Sequence, residues 1–225
     1  MISVIIPIYK SSSTLKRTLQ SLELLDSALK SQLEVILVFD GNDLLCNEIA
    51  IEWQSNTSVR NQVLHQEHAG VSSARNNGVK IARGNYITFL DADDEILLDR
   101  FEAVLNGANF NILIGKQELV FADDRYSNRP DLVSVIAPSE HHIMSMVLNR
   151  KTFEEIGGFS EDFTVGGDWE FVVRARKAGF LIEYSDLYFL RRHIHSGNAS
   201  LDVHEVRKQQ LLSIRQHIRS RENGD

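Results

Sequence analysis

Apolar residues in this chain fall into short dense runs, with stripes at helical spacing between them. Residues 2–8 are a β-branched run, which predicts a strand buried on both faces. Ser11, Ser12 and Ser13 then offer N-caps to a helix carrying Leu15, Leu19, Leu22 and Leu29 on one stripe. A second buried strand is predicted over 33–39, a helix over 44–54 and a weaker strand over 59–65. The next helix, 70–83, turns Val71, Ala74, Gly78 and Ile81 with Ala82 inward, and Gly84 is placed to close it as a C-cap. Tyr86, Ile87, Thr88, Phe89 and Leu90 make a fourth strand of strong β-formers. Strand and helix alternate through short connections, the mark of βαβ units and a parallel sheet.

After about residue 106 the rhythm changes. Short strands are predicted at 111–115, 118–121 and 132–137, around a polar, turn-rich stretch at 123–129. An apolar run at 145–148 leads into a helix over 151–156 that ends at Gly157 and Gly158. A helix over 168–178 has Phe171, Val172, Ala175 and Ala178 on its stripe and Gly179 as its stop. Residues 181–190 read as a strand. Residues 203–221 read as a long charged helix with few apolar anchors, among them Val206, Leu211 and Ile218. Light packing on the domain is its favoured role, and contact with a partner or a membrane surface the less favoured one.

Composition narrows the classes. A chain of 225 residues with 43% hydrophobic content suits one domain with a proper core. A formal charge of −7 argues against nucleic acid as a partner and against a basic surface for anionic lipid. Cys46 is the single cysteine, so there is no disulfide framework and no thiol metal cluster, and a reduced compartment fits. The opening residues lack a basic stretch before their apolar run and read as a strand, not a signal peptide. No run of apolar residues is long enough for a transmembrane segment. The expectation is a cytoplasmic protein, with peripheral contact at the inner face of the membrane as its one route to lipid.

Candidate chemistry sits at the strand ends. The fourth strand runs directly into Asp91, Asp93, Asp94 and Glu95. Acids at the carboxyl end of a buried strand lie where open α/β sheets bind ligands. Asp91 and Asp93 are two apart, so in extended chain they point the same way. Converging carboxylates need a cation, and oxygen ligands favour Mg²⁺ or Mn²⁺. The competing reading is a polar turn with Asp93 or Asp94 as a helix N-cap. Asp40 ends the second strand in the same manner and either binds a ligand or makes an Asx-turn before Gly41. Arg75 stands among small residues near that rim, although arginines are mostly solvated. Asp168 follows Gly166 and Gly167 at a helix start, as a general base or as an ordinary N-cap, and Glu170 lies nearly opposite it. His193 and His195 alternate at the end of the last strand beside Arg191 and Arg192, and His195 could complete a metal site. His141 and His142 read as loop residues and carry no clear signal.

Together these stretches resemble glycosyltransferase family 2. Residues 3–9, SVIIPIY, resemble its opening strand, and Val38-Phe39-Asp40-Gly41 resembles its V-D-D-G. Residues 70–78, GVSSARNNG, are close to its G-x-S-x-A-R-N-x-G, and residues 89–94, FLDADD, match its own phrase without change. Gly157-Gly158-Phe159 and Gly167-Asp168-Trp169-Glu170 resemble its acceptor-side segments. The resemblance implies a GT-A fold: a Rossmann-like, mostly parallel central sheet flanked by helices, a smaller mixed-sheet acceptor region and a C-terminal helix. It implies one domain over 1–225, with nucleotide bound by 1–95, acceptor by 96–200, and the helix at 201–225.

Roles follow from the same resemblance. Asp40 would meet the donor base, Asp91 the ribose and Asp93 the metal, Mn²⁺ or Mg²⁺. Pro7, Tyr9, Arg75 and Ala92 would also lie on the nucleotide. Asp168 would activate the acceptor hydroxyl, with Gly158 and Trp169 on the acceptor side. His195, preferred over His193, would join the metal, and Arg192 would stabilise the leaving diphosphate. The implied reaction is inverting transfer of one hexosyl or N-acetylhexosaminyl unit from a nucleoside-diphosphate sugar, preferably a UDP-sugar, to a glycan or lipid-linked hydroxyl. Phe39 and Gly167 depart from the family pattern, where it has Asp and Glu. A sugar nucleotidyltransferase remains an alternative, but residues 9–13, YKSSS, are not the Gly-rich basic loop it needs. A degenerate nucleotide-sugar-binding module is another, with Gly167 in its favour. A D-x-D phosphatase is disfavoured by Glu95, and a dinucleotide oxidoreductase by the missing G-x-G-x-x-G.

Overall fold

The structure, a computed structural model, describes residues 1–105, 110–130, 141–163 and 166–198, with scattered positions from 201 to 211. The parallel half of the fold follows the predicted rhythm. Strands β1 (Ile2–Ile8) and β2 (Leu33–Asp40) are buried along their whole length, as their β-branched runs require. β3 (Arg60–Gln66) is the more exposed edge, and β4 (Tyr86–Phe89) lies on the other side of β1. β1–β2, β1–β4 and β2–β3 all pair in parallel. Side chains alternate between the faces of this sheet. Val4, Ile6, Val35, Leu37 and Phe39 pack into one core layer, and Ile5, Ile36, Val38, Ile87 and Phe89 into the other.

The second half joins the same sheet. β5 (Glu95–Ile96), β6 (Ile112–Phe121), β7 (His141–Asn149) and β8 (Ile182–Ile194) complete eight strands in the order β3-β2-β1-β4-β7-β6-β8-β5. β7 runs antiparallel to β4 and β6, whereas β6 and β8 are parallel. Helices α1 (Leu15–Glu23) and α3 (Leu44–Asn56) feed the first core layer. α4 (Val71–Ile81), α7 (Arg150–Ile156) and α8 (Gly167–Lys177) feed the second.

Several local expectations are corrected. The serines at 11–13 do not cap the first helix; Thr14 holds the cap position, and its hydroxyl donates to the Ala92 carbonyl at 2.9 Å. The predicted long helix breaks into α1 and α2 (Ser27–Ser31), because Asp26 accepts the Leu29 N–H and starts a new helix. Gly84 is not a left-handed C-cap. A Cβ there would sit 2.5 Å from Ser3 Oγ and 2.7 Å from Ser3 N. The glycine instead lets the chain press on β1, where the Ser3 hydroxyl and the Glu34 carboxylate accept its N–H. The two short strands at 111–121 are one strand, β6, with an irregularity after Ile114, where a Cβ on Gly115 would fall 2.1 Å from the Phe189 ring. β5 was not predicted, and the polar stretch near 125 contains the short helix α6 (Asp124–Ser127). α5 (Asp99–Leu105) follows β5. The strand predicted at 132–137 lies outside the described residues, as does most of the helix predicted at 203–221.

Candidate active site

β1, β2 and β4 all end at one rim, and there they open a cavity of about 550 Å³. Pro7, Tyr9, Asp40, Arg75, Asp91, Ala92, Asp93, Asp168, Arg192 and His195 all line it. Gly158 and Trp169 are not among its lining residues. Gly158 (φ +72°) backs onto Asn76, whose side-chain amide exchanges two hydrogen bonds with the backbone of Phe159. Trp169 faces solvent.

Asp40 is buried, and it makes no Asx-turn. Its carboxylate accepts from Gln66 Nε2, from the Ala69 N–H at 2.7 Å and from the Gly70 N–H at 2.9 Å, and lies 2.9 Å from His68 Nδ1. Burial pushes this acid up, but those donors and the His68 charge outweigh it and hold it below the usual carboxylate range. Asp40 thereby fixes the turn that launches α4 from Gly70, whose φ of +93° suits glycine. It also holds His68 flat against Tyr9, with ring centroids 4.1 Å apart, on the cavity wall.

Arg75 projects from α4 and is itself buried. Its guanidinium pairs with Asp91 and lies over the Phe159 ring. A solvated surface arginine is therefore not what the fold makes of it. Asp93, on the same cavity, has other partners. Its Oδ2 accepts from Asn198 Nδ2 at 2.9 Å and lies 3.1 Å from His195 Nε2. Arg17 from α1 donates to the Asp93 carbonyl. Burial and the neighbouring Asp91 raise Asp93, against the pull of His195 and Arg192. Asp94 is almost wholly buried and accepts the His193 N–H at 2.9 Å. Burial, then Asp93 and Asp91, push it well above the ordinary range. Underneath runs Arg100, fully buried, donating to the carbonyls of Phe89 and Phe189 and to the Thr88 hydroxyl. Burial lowers it to about 9, while Asp94 and Asp91 work to keep it charged.

The two histidines part company. β8 ends at Ile194, so the alternation predicted for a strand does not carry through. His193 Nε2 pairs with Glu95, whereas His195 goes to Asp93. Asp168 is the second residue of α8, not its N-cap, a position that Gly166 (φ +83°) holds, and its Oδ1 accepts the N–H of Trp169. Glu170 is no partner for it. It forms a two-pronged pair with Arg174, which also donates to the carbonyls of Ile156 and Gly158 and so ties α7 to α8.

Sequence reasoning missed His68, Arg100, His142 and Asn198. Asn198 was within reach of it, lying three residues past His195. The others have their place only through strands and turns distant in the chain.

Known proteins resemble this chain in sequence and in fold. Residues 3–166 match the family model described as Glycosyl transferase family 2. An uncharacterized glycosyltransferase, EpsJ of Bacillus subtilis (strain 168), is 38% identical over 116 residues, which is 50% of this chain and 32% of that one. A putative glycosyltransferase of the same organism, EpsH, is 29% identical over 149 residues, 64% of this chain and 42% of its own. The chain thus spans about a third to two fifths of the length of these relatives. Among solved structures, S. aureus TarS in complex with UDP-GlcNAc superposes with a TM-score of 0.70 at 20% identity, covering 89% of this chain and 60% of that one. The mannosyltransferase PcManGT from Pyrobaculum calidifontis, in complex with GDP-Man and Mn²⁺, gives 0.72 at 17% identity, covering 97% and 64%. The fold is the GT-A fold of such enzymes.

Proposed function

Because this chain belongs to glycosyl transferase family 2, we propose that it moves one sugar from a nucleoside-diphosphate sugar to a hydroxyl, with inversion and with a divalent cation. The observation that carries this is the meeting of Asp93 with His195 and Asn198 in a cavity that Asp168 also lines. The donor nucleotide lies along the rim, with its base between Tyr9 and Asp40 and its ribose toward Asp91. Every acceptor site of the Asp40 carboxylate is already engaged. Its part in base recognition is therefore to hold the Tyr9–His68 wall and the turn after β3. A UDP-sugar is the preferred donor, and TarS, with UDP-GlcNAc, is the neighbour that supports it. The acceptor is a hydroxyl of a glycan or of a lipid-linked precursor.

Among the described residues, no three His, Cys, Asp or Glu side chains converge as a ready-made metal site. The donors present nevertheless fit Mn²⁺ or Mg²⁺. A carboxylate and an imidazole, Asp93 and His195, leave positions for water and phosphate oxygens, and Asp93 sits where burial and Asp91 make a cation welcome. When bound, such an ion stabilises charge on the departing diphosphate. Arg192, buried beside the acids, adds fixed positive charge at the same place, where no reorganisation is needed. Asp168 accepts the proton of the acceptor hydroxyl as that oxygen attacks the anomeric carbon from the face opposite the diphosphate.

Calorimetric titration with UDP, GDP and dTDP, each with and without Mn²⁺, tests this reading on the wild type and on Asp93→Ala. Metal-dependent binding of one nucleotide, lost in the variant, is expected. No binding of any of them would sink it. Tight nucleotide binding without sugar transfer or donor hydrolysis would favour a degenerate binding module.

A further inference from the structure

His142 has no part in the mechanism above, yet it lines the same cavity. It stands near the start of β7, beside Met144 in the wall. The residue is half-buried, and its Nδ1 is sealed from solvent without a hydrogen-bond partner among the described residues. A buried ring nitrogen left in that state is uncommon in a folded protein and asks what completes it. Burial, then Arg192, Arg75 and Arg100, drive this histidine well below the usual imidazole range. The ring is therefore neutral at neutral pH, with one nitrogen donating and the other accepting.

Its position in the sheet says which part of a ligand it meets. The strand order is β2-β1-β4-β7, so the acids that follow β4 lie between Asp40 on β2 and His142 on β7. A donor with its base at the Asp40 end and its diphosphate at Asp93 and His195 carries its sugar onward, over β7. Phosphate is not the partner, because a neutral ring adds no charge where Arg192 already stands. A carboxylate at this position would pair with Arg75 or Arg192 and cancel the charge that holds the diphosphate. An uncharged donor–acceptor suits a sugar hydroxyl or an acetamido group.

We propose that His142 is the residue that reads the donor's transferred sugar, its imidazole completing a hydrogen bond to a hydroxyl or amide of the hexose. This rests on the donor-site reading given above. The test compares wild type, His142→Ala and His142→Gln in calorimetric titrations with Mn²⁺, using UDP and GDP alone and then UDP-glucose, UDP-N-acetylglucosamine and GDP-mannose. Removing one hydrogen bond to an uncharged group is expected to weaken the preferred sugar nucleotide by about tenfold in His142→Ala. Binding of the bare nucleotide should be unchanged, which also shows the variant to be folded. Preference among sugars on one nucleotide should flatten, and His142→Gln, which keeps a donor and an acceptor, should recover part of it. Equal weakening of bare nucleotide and sugar nucleotide, or no change in either, overturns the assignment and leaves the donor site standing. Failure of the wild type to bind any nucleotide overturns both.

Discussion

At the residue scale, the acids make the site and their surroundings divide the work. Asp91 is paired with Arg75, Asp93 faces His195, and Asp94 is buried under the His193 backbone. Three neighbouring carboxylates thus have three different partners. Asp168 stands apart, on another element and beside no basic side chain that bonds to it among the described residues. Asp168→Asn keeps the shape and removes the base. Sugar transfer is expected to fall by about 10²–10⁴-fold, with binding of the donor nucleotide unchanged, as steady-state rates and calorimetry will show. The acids, Asp40 and Asp168 were legible in the sequence because each sits at a strand end or near a helix start, positions that periodicity locates. Arg75, in the middle of α4, stood out only for its small neighbours, and its burial was not foreseen. The fate of His142 was not, since what singles it out is a missing partner and three arginines brought from 50 or more residues away in the case of Arg75 and Arg192, and from α5 in that of Arg100.

At the element scale, strands buried on both faces announce themselves and strands made by pairing do not. β1 and β2 were readable from apolar runs alone. β5 is only Glu95 and Ile96, and it is a strand because Arg191 and Leu190 lie opposite. The glycines show the same divide. Gly179 (φ +82°) stops α8 as expected, whereas Gly84 and Gly115 are demanded by a neighbour that local sequence does not reveal. Gly115 gives the sharper test. Phe189 is fully buried and cannot swing aside, so a methyl group against its ring must displace β6 or β8. Gly115→Ala is expected to destabilise the fold by about 1–3 kcal/mol, read as a lower urea midpoint.

At the scale of the whole molecule, side-chain bridges between layers matter as much as the sheet. Glu23 at the end of α1 accepts from Thr57 Oγ1, Trp53 Nε1 and Lys30 Nζ, and so ties α1, α2 and α3 together over the first core layer. Burial raises this acid, but its hydrogen bonds and the Lys30 charge prevail and hold it below the ordinary glutamate range. An acid lowered on folding adds stability at neutral pH that is lost as pH falls through its lowered value. Glu23→Gln should therefore reduce the urea midpoint at pH 7 and flatten its fall in acid, so that the two proteins converge toward low pH. A constant difference across the range would count against the bridge.

The bond between Asp93 and His195 joins positions 102 apart in the chain. On a ribosome the acids emerge long before β8, and for that interval they have neither His195 nor Arg192 to meet them. The rim is thus completed only after β8 has emerged. A nascent chain halted before β8 would hold β1 to β4 and the Asp91–Arg75 pair, but would leave the Asp93 carboxylate without His195, unfit to hold a diphosphate until β8 docks.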